Sequence, residues 1–403
     1  MHTESPYVPL ELLASQILSR LPVGSLLRFR CVCKAWRDTI DGDESFHREH
    51  LHFQKTSLLL APQVRHYMNV YWGRSITGLY RWEPWSQDAV TRVPDMAGDD
   101  HTLRAGEATH DLAHCDGLVL LPSEATLRVL NPATRGILRL PWSHGIKVPF
   151  GGLNHLPSHQ AFGLGQDTRS KAYKVARFFY RSIYKLARGY QYTLEMEIFT
   201  IGTDQQWRDV KKPPPYPIKP ARTATFCKGS LYWTVETLLL CDRTSMPGFV
   251  RFNLEDESFS VVPAPNWFNS LKSFAVPRLA ELQGQLCIAH SRHTIMSIEI
   301  WMCSSLDDNT PPWDRRFVIP MFNLHVSPKA IFDDKIVCHL GTDSLLRYNF
   351  RTGERVVLDM RKMYDPKHGN RDNGYVAGTI YENIPSAVYA FDVIPYVPSL
   401  VNV

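Results

Sequence analysis

Nothing in the 403-residue chain approaches the roughly 18 consecutive apolar residues that a membrane span requires. The opening residues, Met1-His2-Thr3-Glu4-Ser5-Pro6, lack the basic-then-apolar order of a secretory leader. The cysteines at 31, 33, 115, 227, 241, 287, 303 and 338 include no Cys-x-x-Cys pair, and most have apolar neighbours, as small core residues do. Such usage suits a reducing compartment, as does the absence of an Asn-x-Ser/Thr acceptor with a permitted middle residue. We therefore expect a soluble intracellular chain, cytoplasmic or nuclear, with no membrane partner. Charge of one sign is also scarce: 45 basic against 40 acidic side chains leave +5, too slight for a nucleic-acid footprint at this length. No nucleic-acid partner is expected.

Catalytic patterns are missing too. Gly163-Leu164-Gly165 has no third glycine for a dinucleotide loop, and there is no Walker loop and no nucleophile elbow. His47, His50 and His52 cluster, but histidines at such spacing need further ligands to hold a metal. His155 and His159 are four apart with Pro157 between them, which argues against the helix that would bring them together. We expect no cofactor, no metal and no catalytic residue.

What is present falls into two textures. From residue 8 to 53 the apolar residues recur at helical spacing: Leu10, Leu13, Ile17, Leu18 and Leu21 form one stripe, which Pro9 can start and Leu21-Pro22 ends. Gly24-Ser25 offers a cap for a second helix bearing Leu26, Leu27 and Phe29. Cys33, Trp36 and Ile40 mark a third helix, and Asp43 can cap a fourth with Phe46, Leu51 and Phe53 as anchors. Four short helices bury too little surface to stand alone, so the physics asks for a partner. Arg28, Arg30, Lys34 and Arg37 read as a solvated face.

These residues carry a resemblance. Val8-Pro9-Leu10-Glu11-Leu12-Leu13, Ile17-Leu18-Ser19-Arg20-Leu21-Pro22 and the run Leu26 to Arg37 are similar to an F-box, with Val8 where the family usually has Leu. The resemblance implies docking on the Skp-type adaptor of a cullin-RING ubiquitin ligase. It makes Pro9, Leu10, Leu13, Ile17, Leu18, Leu26, Leu27, Val32 and Trp36 candidates for the helix core and that interface.

From about residue 56 to 403 the chain is aromatic, rich in proline and alternating, as all-β repeats are. Leu130 to Pro141, Phe252 to Pro263 and Tyr348 to Leu358 each read as strand, polar turn, strand, with Asn131, Asn253 and Asn349 placed to start the turn through their own backbone. Weaker copies around Trp82, Phe199 and Trp301 give equivalent positions 82, 130, 199, 252, 301 and 348. Upstream, Cys115-Asp116-Gly117, Cys227-Lys228-Gly229 and Leu282-Gln283-Gly284 offer hairpin turns. Two hairpins per repeat make a four-stranded sheet, and such sheets bury both faces only by stacking around an axis. The expected fold is mainly β, a propeller of six to eight blades with six the direct count, preceded by the small helical module. The run from Ala387 to Val393, with Tyr396 and Val397, is placed to pair with the first blade and close the ring.

This half resembles the F-box-associated domain of plant F-box proteins, a kelch-like propeller, through Cys115-Asp116-Gly117-Leu118, Asn131 to Arg135, Phe162 to Asp167 and Tyr173-Lys174-Val175. Together the resemblances imply a substrate-recognition subunit of a ubiquitin ligase that does no bond chemistry and presents an unknown target protein. A scaffold outside a ligase is the alternative, and a propeller enzyme a weaker one. Pro213-Pro214-Pro215-Tyr216 reads as an inter-blade connection sooner than as a ligand of aromatic grooves. The insert from Arg177 to Tyr192 reads as a long hairpin loop mixing cations with tyrosines, and Arg181, Tyr184 and Arg188 are its candidates for target contact.

Overall fold

The computed structural model describes residues 9–68, 71–76, 78–85, 90–94, 110–122, 126–143, 159–186, 189–220, 222–240, 247–270, 278–305, 313–321, 323, 325–363 and 388–403. Four helices lead the chain: α1 (Leu10–Gln16), α2 (Val23–Phe29), α3 (Lys34–Gly42) and α4 (Glu44–Phe53). The stripe from Leu10 to Leu21 is not one helix, contrary to its spacing. Leu21 must be extended because Pro22 follows. Ahead of it the chain tightens into a 3-10 turn over Leu18–Arg20, as helix ends often do. Pro22, and not Gly24-Ser25, precedes α2, its carbonyl accepting from the N–H groups of Ser25 and Leu26. Asp43 caps α4 as expected, Oδ1 accepting from the N–H groups of Ser45 and Phe46.

The rest is a six-bladed propeller of antiparallel sheets. Positions 82, 130, 199, 252, 301 and 348 all fall on the third strand of a blade, counted outward from the axis. The innermost strands of blades 2 to 6 are Ala113–Cys115, Gln160–Gln166, Thr225–Cys227, Leu279–Leu282 and Val326–Phe332. Blade 1 takes its innermost strand from the C-terminus. Ala390–Tyr396 pairs antiparallel with Ser57–Met68, Leu58 opposite Pro395 and Leu60 opposite Val393. Adjacent innermost strands touch all the way round, from Ala390–Tyr396 through blades 2 to 6 and back.

Each blade packs apolar side chains against both neighbours, so an inner strand such as Leu58-Leu59-Leu60-Ala61 is buried along its whole run. Leu58 and Leu60 face blade 6, whereas Leu59 and Ala61 face blade 2. The two glycines of Gly163-Leu164-Gly165 serve this packing and not a phosphate: a Cβ on Gly165 would lie 2.4 Å from the Phe226 ring of the next blade. Asn131, Asn253 and Asn349 start their turns as expected, each Oδ1 accepting a backbone N–H two residues on. The Asp-Gly pair at 116–117 turns the chain between first and second strands with φ of 49° and 82°.

No helix among the described residues is long and apolar enough to cross a membrane. The expected loop from Arg177 to Tyr192 is instead two extended strands, Tyr173–Lys185 and Tyr190–Thr200. Alternate side chains there are apolar and face blade 4, which holds the segment in the sheet: Tyr180, Ile183 and Leu194 are buried, and the Tyr180 hydroxyl donates to the Ile218 carbonyl at 2.6 Å.

Candidate functional site

The helical module closes one side upon itself and leaves another open. Leu18, Val23, Leu26, Ile40 and Phe46 are buried together, with Leu27, Phe29 and Trp36 half-buried around them. Trp36 meets Phe29 edge to face at 5.6 Å. The histidines serve this packing: His50 Nε2 lies 2.8 Å from the Leu21 carbonyl and His47 Nε2 2.8 Å from that of Ile40. Burial holds the His50 imidazole below its ordinary value, so it is neutral at pH 7. Among the described residues no three His, Cys, Asp or Glu side chains gather as metal ligands.

Other apolar side chains of the module are left in solvent. Ile17 is 51% exposed, Val32 57% and Leu12 53%. Of the nine residues picked out by sequence, Leu18 and Leu26 belong to the core, Pro9, Ile17 and Val32 are exposed, and Leu13, Leu27 and Trp36 lie between. The side chain of Leu10 lies outside the described residues. Leu12 escaped the sequence reading because it lies off the helical stripe, and that is why it faces outward. The basic residues are solvated, and Arg30 pairs with Asp41 at 2.7 Å.

The module sits at one end of the ring. Strands one and three of every blade run toward it, since Leu51 and Thr56 share a pocket with the first-to-second turns at Asp116-Gly117, Lys228 and Gly284. Antiparallel pairing then sends every second-to-third connection to the opposite end. The hairpin after Lys185 emerges there, with Tyr184 and Leu186 exposed. So do the corresponding connections of the next two blades, which expose Leu238, Ile295 and Met296. Sequence reading missed Leu186, Leu238, Ile295 and Met296, which lie in three separate connections and share one end only through the ring. Of its three choices for target contact, Arg181 is held by Glu195 at 2.7 Å, Tyr184 is exposed at the hairpin end, and Arg188 lies outside the described residues. Arg177 is buried, donating to Gln160 Oε1 at 2.8 Å. Tyr216 packs half-buried against the core between blades 3 and 4, so Pro213 to Tyr216 is a connection between blades.

Residues 88–403 match the F-box associated beta propeller domain, and residues 9–48 match the F-box domain. The chain belongs to the F-box associated beta-propeller family. Its relatives are plant F-box proteins. It is 26% identical over 328 residues to the putative F-box protein At4g17780 of Arabidopsis thaliana, covering 79% of this chain and 72% of that one. It is 27% identical over 232 residues to the F-box/kelch-repeat protein At2g43270 of the same plant, covering 55% and 95%. A third Arabidopsis relative, the F-box/kelch-repeat protein At3g16740, is 24% identical over 403 residues, 93% of this chain and 97% of its own. An F-box joined to a propeller, among relatives of this kind, supports a role in recognition, with an adaptor of the Skp type implied by the F-box.

Proposed function

We propose that this chain is the substrate-recognition subunit of a cullin-RING ubiquitin ligase. Pro9, Leu12, Leu13, Ile17, Leu27, Val32 and Trp36 meet the Skp-type adaptor, Leu10 joining them through the resemblance alone, while Leu18 and Leu26 hold the module in shape. The opposite end of the propeller presents a target protein on Tyr184, Leu186, Leu238, Ile295 and Met296. The observation that carries this reading is that the helical module, with Leu12, Ile17 and Val32 exposed, lies beside one end of the closed ring, while the exposed apolar residues of three blade connections lie at the other. A target held at one end while the ligase is held at the other gains effective concentration beside the conjugating enzyme, which needs no bond chemistry from this chain.

The test has two arms. Ile17→Asp with Val32→Asp should abolish adaptor capture and leave the propeller folded. Leu186→Ser with Ile295→Ser and Met296→Ser should retain adaptor and cullin yet remove proteins that accumulate on the wild-type chain when the proteasome is inhibited. Adaptor capture undiminished by the first pair sinks the docking assignment, and adaptor capture without cullin would place the chain in another assembly. Captured proteins unchanged by the second set would move the target site elsewhere on the ring.

A further inference from the structure

On the axis of the propeller the innermost strands enclose a cavity of about 110 Å³, lined by residues of blades 1, 2, 4, 5 and 6. Its carboxylates are occupied. Asp111 Oδ2 accepts from Arg278 Nη1 at 3.3 Å, and Glu281 Oε1 accepts from the Gly284 N–H at 2.5 Å. Asp392 accepts from two backbone N–H groups, Leu112 at 2.5 Å and Val393 at 2.9 Å. Its cations are not all occupied. Arg222 of blade 4 and Lys329 of blade 6 are half-buried on the same cavity. Neither donates a hydrogen bond to, or forms an ion pair with, any of the described residues. An ammonium and a guanidinium carry donors only, so the unmet bonding capacity of this cavity calls for acceptors.

Electrostatics agree with the geometry. Burial pushes the Lys329 ammonium down to about 8 against the opposing pull of Asp392, and the Arg222 guanidinium down to about 10. His114 on the same wall is pushed down to about 4 by burial and by Lys329, and adds no charge at pH 7. Blades 4 and 6 are separated by blade 5, so a ligand that satisfies both cations must accept in more than one direction. A tetrahedral phosphate does so, whereas a planar carboxylate accepts within one plane.

We propose that this axial cavity binds one phosphate group, held by Arg222 and Lys329 with Arg278 beside them. The cavity accommodates the group itself and not a nucleotide, so the phosphate is either a small free ester or the tip of a phosphorylated side chain on a captured protein. The site stands independently of what the helical module docks on.

The test uses the full chain, titrated calorimetrically with inorganic phosphate at constant ionic strength, then with a phosphoserine peptide and its unmodified twin. Saturable phosphate binding is expected. Lys329→Met and Arg222→Leu should each weaken it by about tenfold or more, and Lys329→Arg should retain it. Arg222 has no hydrogen bond or ion pair among the described residues to lose and is repelled by Arg278, so the unliganded Arg222→Leu chain should melt no lower than wild type, whereas Lys329→Met also removes the pull on buried Asp392 and is checked for folding before titration. If that variant does not fold, Arg222→Gln gives the same readout. A peptide phosphate binding more tightly than the free anion assigns the site to a modified protein, and the reverse assigns it to a small molecule. Absence of saturable binding in both forms overturns the proposal, as does binding that the substitutions at 222 and 329 leave unchanged.

Discussion

Neighbouring residues of one amphipathic stripe have opposite duties in this protein, and substitution separates them. Leu18 is buried in the core of the helical module, so Leu18→Ala should cost about 2–5 kcal/mol of that module's stability, measured by denaturant unfolding. Ile17→Ala should change that stability by less than about 0.5 kcal/mol while weakening adaptor capture. A second contrast lies in blade 3, where buried Lys174 Nζ donates to the Leu254 carbonyl at 2.6 Å and meets Asp167 at 3.2 Å and Glu257 at 3.1 Å. Burial would raise the Asp167 carboxyl, but donation from Arg169, Ser170 and Lys174 outweighs it and holds the group low. Glu257 is likewise held low, Arg208 and Lys174 outweighing its burial. Carboxylates depressed in the folded state stabilise it above their unfolded values, and that contribution is lost as pH falls through the folded ones. Stability should therefore hold from neutral pH to about 5 and fall below about 4, and Lys174→Met should lower the plateau and flatten the acid limb of a melting-temperature profile.

Among the elements, the last residues of the chain do more than complete a sheet. Past the closing strand, Leu400 is buried in the core of the helical module, and Asn402 donates to the Asp41 carbonyl at 3.3 Å. Asn131, at a turn of blade 2, clamps this tail by donating to the carbonyls of Ser399 and Val401 at 3.1 and 2.7 Å. Gly117 lets the tail pass, since a Cβ there would lie 2.4 Å from the Val397 carbonyl oxygen. A chain ended at Val397 keeps its closing strand but loses Leu400 from the helical core. Calorimetry should then show the helical module melting ahead of the propeller, and hydrogen exchange in α3 should rise. A single unchanged transition would refute the coupling. The hairpin of blade 3 is similarly more than an appendage: replacing all of 180–194 removes Tyr180, Ile183 and Leu194 from the core, so it should lower the melting temperature, whereas Tyr184→Ala should not.

For the whole molecule, closure is the central structural fact. Without Ala390–Tyr396, the strand Ser57–Met68 would present an unpaired edge beside the axis, and Val393 and Ile394 would leave the cores on either side of blade 1. Deleting 388–403 should yield an insoluble or protease-sensitive product, and a truncated chain that melts with the intact one would rule out closure by this strand.

The chain determined by itself whatever depends on local pattern. A hairpin needs only its turn residues and alternating neighbours, so Leu130, Phe252 and Tyr348 were legible as equivalent strand residues ahead of a turn, and the sheets place them on third strands. The helical module was legible for the same reason, through spacing and its resemblance. Tertiary structure alone decided which residues of that module are closed off, because Leu18 is buried by Val23, Leu26, Ile40, Phe46 and the distant Leu400 while Ile17 beside it meets none of them and stays exposed. It also decided that Arg177 and Arg181 are bound within a sheet, and that Leu186, Leu238, Ile295 and Met296 share one end. Arg222, Arg278 and Lys329 lie far apart in sequence with nothing distinctive beside them. They meet because a closed ring brings the innermost strand of every blade to one axis, a contact that no local pattern encodes.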